Sequence, residues 1–119
     1  MKYNHDYYIM TMTLPVDKRS RKLKKVKGSD RFLVLSASNE FVETPELFIY
    51  KSDLNDYILT DVQTGMMVYS DRKLKNVLQW IGDPDNVKRL LEAYQRPFIA
   101  KQKAILQDMI AAVECSTMN

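Results

Sequence analysis

The stretch Glu46-Leu-Phe-Ile-Tyr-Lys-Ser-Asp-Leu-Asn-Asp-Tyr-Ile-Leu-Thr-Asp-Val-Gln-Thr-Gly-Met-Met-Val-Tyr69 decides the fold. Glu46 to Tyr50 is an apolar, aromatic run of strand length. Ser52-Asp-Leu-Asn-Asp56 follows, and its short polar side chains hydrogen-bond local backbone to turn the chain. Tyr57 to Val62 and Met66 to Tyr69 then flank Gln63-Thr-Gly65, a hairpin connection in which Gly65 takes a positive φ. Strands this close in sequence pair antiparallel, because a parallel crossover needs about a dozen residues or more.

Upstream, Tyr8, Met10, Met12 and Leu14 alternate with Tyr7, Ile9, Thr11 and Thr13, the period of a half-buried strand that Pro15 ends. Arg31-Phe-Leu-Val-Leu-Ser36 reads as a shorter, more buried strand, and the polar stretch after it closes at Pro45. Downstream the period changes to that of a helix. Leu74, Val77, Leu78 and Ile81 form one stripe, with Ser70 or Asp71 as a cap and Gly82 as a left-handed stop. Asp83-Pro84 opens a second helix, Asp as N-cap and Pro in its first position, with Val87, Leu90, Leu91 and Tyr94 as its stripe. Pro97 ends or kinks it, so residues 84–115 fit either one kinked helix or two. Strands followed by helices predict a single α+β domain over 1–119. Its antiparallel sheet of four or five strands is covered by two or three C-terminal helices.

Composition narrows the classes. An apolar fraction of 45% and a charged fraction of 28% are those of a globular protein. No run reaches the length of a membrane span, and MKYNHDYYIM holds no apolar signal core. The lone cysteine, Cys115, suits a reducing compartment, so the expected address is the cytoplasm. On its apolar-leaning helical face Cys115 reads as a small packing residue.

Charge is the most informative feature. Residues 15–31 hold Lys18, Arg19, Arg21, Lys22, Lys24, Lys25, Lys27 and Arg31 against Asp17 and Asp30, a segment of +6. The remaining residues, ten basic against thirteen acidic, carry −3. Between Asp17 and Gly28 the sizeable apolar groups are Leu23 and Val26. The segment over 17–30 is therefore expected as an exposed basic loop or hairpin tip. Like charges crowded together repel, and a polyanion relieves that repulsion. The eight cations are thus the candidate nucleic-acid-binding residues, gripping phosphates of DNA or RNA without reading bases. Arg19 and Arg21 suit bidentate contacts, and nearby Tyr3, Tyr7 and Tyr8 suit stacking on unpaired bases. The alternative is a protein-interaction module, an inhibitor or adaptor of mobile-element type, whose basic loop docks on an acidic protein surface. Seven methionines suit such adaptable contacts.

Other chemistries find no support. His5 stands without ligand partners at metal spacing, and Gly28, Gly65 and Gly82 are too dispersed for a phosphate loop. Asp53, Asp56 and Asp61 cluster around one hairpin, a set that a hydrolase or nuclease could use with Mg²⁺ and substrate phosphates, although local capping is their ordinary use. A helix-turn-helix reading of the helical pair fails on Leu78 and Asp83, which stand where a small and an apolar residue belong. An αα-hairpin packed on the sheet fits better. The sequence thus predicts a protein without catalytic residues, metal or small-molecule cofactor.

Overall fold

The computed structural model describes residues 2–12, 21–34 and 44–117. Six strands precede three helices among them: β1 His5–Met12, β2 Arg21–Gly28, β3 Phe32–Leu33, β4 Glu46–Lys51, β5 Tyr57–Asp61, β6 Met67–Asp71, α1 Leu74–Gly82, α2 Pro84–Tyr94 and α3 Pro97–Thr117. The sheet runs β1-β2-β4-β5-β6, with β3 paired to β4, and every pairing is antiparallel.

β4 lies at the centre because its apolar run has no polar face to offer water. Leu47, Phe48 and Ile49 are all fully buried. Successive side chains point to opposite faces, so β4 serves two cores at once. Leu47 and Ile49 join Val34, Leu59 and Val77 under α1 and α2. Phe48 and Tyr50 join Tyr7 and Ile9 on the other side, beneath the β1–β2 ribbon. α1 and α2 thus cover one face, the N-terminal ribbon folds over the other, and α3 runs close to β2 of that ribbon.

That ribbon corrects the expected loop over 17–30. From Arg21 to Gly28 the basic segment is a strand, paired residue by residue with β1 from Met12 to His5. Pairing with β1 satisfies the backbone groups that face it, while Val26 and Leu23 become half-buried. Residues 17–20 of the predicted loop, with Lys18 and Arg19, lie outside the described residues.

Two glycines hold the ribbon down. A Cβ on Gly28 would sit 2.6 Å from Phe48 Cδ2 and 2.9 Å from Tyr7 Cδ2, so the hydrogen side chain lets these rings close at 3.8 Å between centroids. Gly65 takes the expected positive φ, 69°, and its carbonyl accepts from Met10 N–H at 3.1 Å. The β5–β6 turn therefore clasps the outer edge of β1.

Both ends of α1 differ from the sequence reading: its N-cap is Lys73 rather than Ser70 or Asp71, and Asp71 Oδ1 accepts from Lys73 N–H at 2.8 Å just outside the helix. Gly82 is not a left-handed stop: α1 ends against Asp83, which is extended at φ −81° and ψ 119°. The proline that follows drives Asp83 out of the helical region, and Asp83 then caps α2 by accepting from Asp85 N–H at 2.9 Å. At the next junction Pro97 separates α2 from α3, so 84–115 is two helices. In α1, Leu74, Val77 and Ile81 of the expected stripe pack on the core, while Leu78 is exposed and Trp80 stacks on Tyr69 with 5.1 Å between ring centres. Predicted strand 31–36 pairs only at Phe32 and Leu33; Val34 is core, and residues 35–36 lie outside the described set. Along α3 only Ile99 and Leu106 are buried among the described side chains, and Cys115 is exposed rather than packed.

Candidate nucleic-acid interface

The register of β1 and β2 assigns each cation a face. Lys27 stands opposite Asp6 and Lys25 opposite Tyr8 on the outward face. Lys24 opposes Ile9 and Lys22 opposes Thr11 on the face that carries buried Tyr7 and half-buried Val26. All four lysines are exposed. Arg21 is the first residue of β2, and Arg31 follows the strand beyond Gly28. The ribbon, residues 5–12 and 21–28, holds five cations and a single carboxylate, Asp6.

Neighbouring carboxylates tie several of these cations. Lys27 Nζ lies 2.7 Å and Lys25 Nζ 3.9 Å from Asp6. Lys24 Nζ lies 3.4 Å from Asp53, and Arg31 lies 3.3 Å from Glu46 with its guanidinium 5.6 Å from the Tyr7 ring centre. The hydrogen bond from Lys27, aided by the charges of Lys27 and Lys25, holds the Asp6 carboxyl below its ordinary value. Exposed pairs of this kind are screened by solvent and hold weakly, so a phosphate can displace the carboxylates. Lys22 makes no ion pair with another described residue.

The tyrosines divide differently from expectation. Tyr7 is buried, stacked on Phe48, and its hydroxyl donates to the Ser29 carbonyl at 2.7 Å, so it offers no ring to a base. Tyr3 is half-buried against Tyr57, and burial raises its hydroxyl above the ordinary value. Tyr8 keeps a partly open ring, with Lys25 Nζ 5.8 Å from its centre. One such ring is not a stacking platform, which needs several in succession.

The three aspartates of the 52–66 region do not converge. Asp53 reaches Lys24, while the Asp56 backbone closes its turn with Ser52. Asp61 is buried and accepts from Thr64 Oγ1 at 2.7 Å and Thr64 N–H at 3.1 Å. Burial pushes its carboxyl up, opposed by the hydrogen bonds from Thr64 and Gln63. Among the described residues no cluster of three His, Cys, Asp or Glu side chains is placed to hold a metal ion. No helix among them is long and apolar enough to cross a membrane.

The structure adds one feature that the sequence analysis missed. An apolar cleft of about 290 Å³ opens where the β5–β6 turn meets α2 and α3, lined by Met66, Val68, Trp80, Leu90, Tyr94 and Phe98. These residues come from the β5–β6 turn and four elements, so no local spacing could have grouped them. No protein-family model matches this chain, and no curated protein or solved structure matches it.

Proposed function

We propose that this chain is a non-enzymatic nucleic-acid-binding protein whose β1–β2 ribbon lies along a phosphate backbone. The observation that carries the reading is the ribbon itself, in which Lys22, Lys24, Lys25 and Lys27 are fixed on an eight-residue strand and all exposed. A strand of that length spans about 26 Å, and same-face neighbours stand about 6.7 Å apart. Lysines spaced along a rigid ribbon meet successive phosphates with less ordering entropy than the same residues on a loop. Contacts of this type position the ligand without naming its bases. With one partly open tyrosine at the surface, affinity comes chiefly from charge.

The test is fluorescence anisotropy of labelled single-stranded DNA, duplex DNA and RNA across a salt series. Engagement of ~4–6 phosphates gives a log–log salt slope of about −4 to −5 on duplex DNA. Replacing Lys22, Lys24, Lys25 and Lys27 together by Gln flattens that slope and weakens binding while the circular-dichroism spectrum is unchanged. Full affinity in this variant, or no binding by the natural chain at low salt, refutes the reading.

The second reading is an acidic protein partner. The observation in its favour is that β4 pairs with β2 at Gly28–Tyr50 only, leaving the rest of the outer edge of β2 without a partner strand among the described residues.

A further inference from the structure

We propose that the outer edge of β2 accepts an extended acidic peptide as an added strand, an inference that rests on the second reading above and not on phosphate binding. The backbone decides which groups are open. Met10 N–H donates to Gly65 at 3.1 Å, away from β2, so Met10 and its register partner Leu23 form a pair without mutual hydrogen bonds. Leu23 therefore turns its own N–H and C=O away from β1, and by alternation Lys25 does the same. Ser29, on the same parity, donates to the Ile49 carbonyl of β4 at 2.8 Å, which fixes the side to which these groups point. β4 ends at Lys51 and turns off, so β2 runs on past it. No described residue bonds the outward N–H and C=O groups of Leu23 and Lys25.

An edge of this kind alternates donors with acceptors. A peptide strand matches both, whereas a phosphodiester chain supplies acceptors alone and leaves the carbonyls unmatched. The side chains then select the peptide. A second copy of β2 would set lysine against lysine, which is unfavourable and protects the edge from self-association. A strand bearing Glu or Asp sets opposite charges across the new pair. The ribbon already contains that pattern: Asp6 of β1 stands directly opposite Lys27 of β2, with 2.7 Å between the charged atoms.

The probe is a capped peptide of alternating Glu and Val. Its controls are the fully N-methylated counterpart, which keeps the charges but has no amide donors, and a Lys–Val peptide. Amide hydrogen exchange is followed on the whole chain by NMR. The Glu–Val peptide slows exchange at Leu23 and Lys25 by about tenfold or more, and neither control does. Leu23→Pro removes one edge donor at a position where an edge strand tolerates proline. That variant keeps its fold and loses the peptide, while its affinity for oligonucleotide is retained. If the N-methylated peptide binds as tightly, the acidic-partner reading survives and strand addition is overturned. If neither acidic peptide binds, both fall. Equal slowing of Leu23 and Lys25 by an oligonucleotide overturns strand addition as well, by assigning the edge to phosphate.

Discussion

Gly28→Ala separates steric closure from every other role of that glycine. Gly28 does not occupy the left-handed region, so alanine meets no backbone penalty there. On backbone grounds alone the change would stabilise the fold by about 0.4–1 kcal/mol, because the unfolded chain loses freedom. The new methyl, however, lies 2.6 Å from Phe48 Cδ2 and 2.9 Å from Tyr7 Cδ2, below any contact a carbon tolerates. Both are ring atoms in a stacked, buried pair, so neither ring yields without opening the core. Overpacking of this kind costs about 1–3 kcal/mol. The overpacking outweighs the backbone gain, and the net loss is about 1–2 kcal/mol, or roughly 3–10 °C in Tm for a domain of this size. The assay is urea unfolding at fixed pH with circular-dichroism detection, together with the Phe48→Ala background. There the methyl has room, and the same Gly28→Ala change costs less than in the natural chain. A midpoint equal to or above that of the natural chain would falsify the account of ribbon packing.

Other perturbations probe the clasp and the buried carboxylate. Gly65→Ala meets a φ of 69° and places its methyl 3.0 Å from Met10 N. It is expected to destabilise the domain by about 1–2 kcal/mol and to speed amide exchange at Met10, with an unchanged Met10 amide counting against the clasp. The Asp61 carboxyl, raised by burial, gives a pH signature of definite sign. Its favourable contribution is complete below the unfolded value and is lost as pH rises through the higher folded value. Asp61→Asn therefore flattens that part of the profile, and thermal melts of both proteins from pH 3 to 8 measure the difference. A natural chain that gains stability relative to Asp61→Asn as pH rises through this window contradicts the sign.

Most of the architecture was legible because local signals agreed with one another. The turn at 52–56, the positive φ at Gly65 and the Asp83-Pro84 helix start each depend on a few adjacent residues whose conformational preferences are intrinsic. The stop of α1 was misassigned because two local rules competed at Gly82 and Pro84. The restriction that proline places on Asp83 prevailed, since it acts whether or not a glycine precedes it. The basic segment reads as a loop or hairpin tip for a different reason. Its lysines carry no strand preference of their own, and a strand there becomes favourable only once β1 supplies partners for the backbone. Tyr7 suits base stacking by sequence alone, because alternation says that one face is buried without saying under what.

Sequence alone determined the α+β class, the strand-then-helix order, a disruption of the helix at Pro97 and the concentration of positive charge between residues 15 and 31. Each follows from side-chain periodicity, proline geometry or composition, and these act over a few residues. Tertiary structure alone decided that the charge between Arg21 and Gly28 lies on a ribbon, that Phe48 and Tyr7 close over Gly28, and that most of the outer edge of β2 has no partner strand among the described residues. These depend on which distant strand arrives beside which. That choice is made by burying both faces of β4 at once, a condition that no local window of the chain contains.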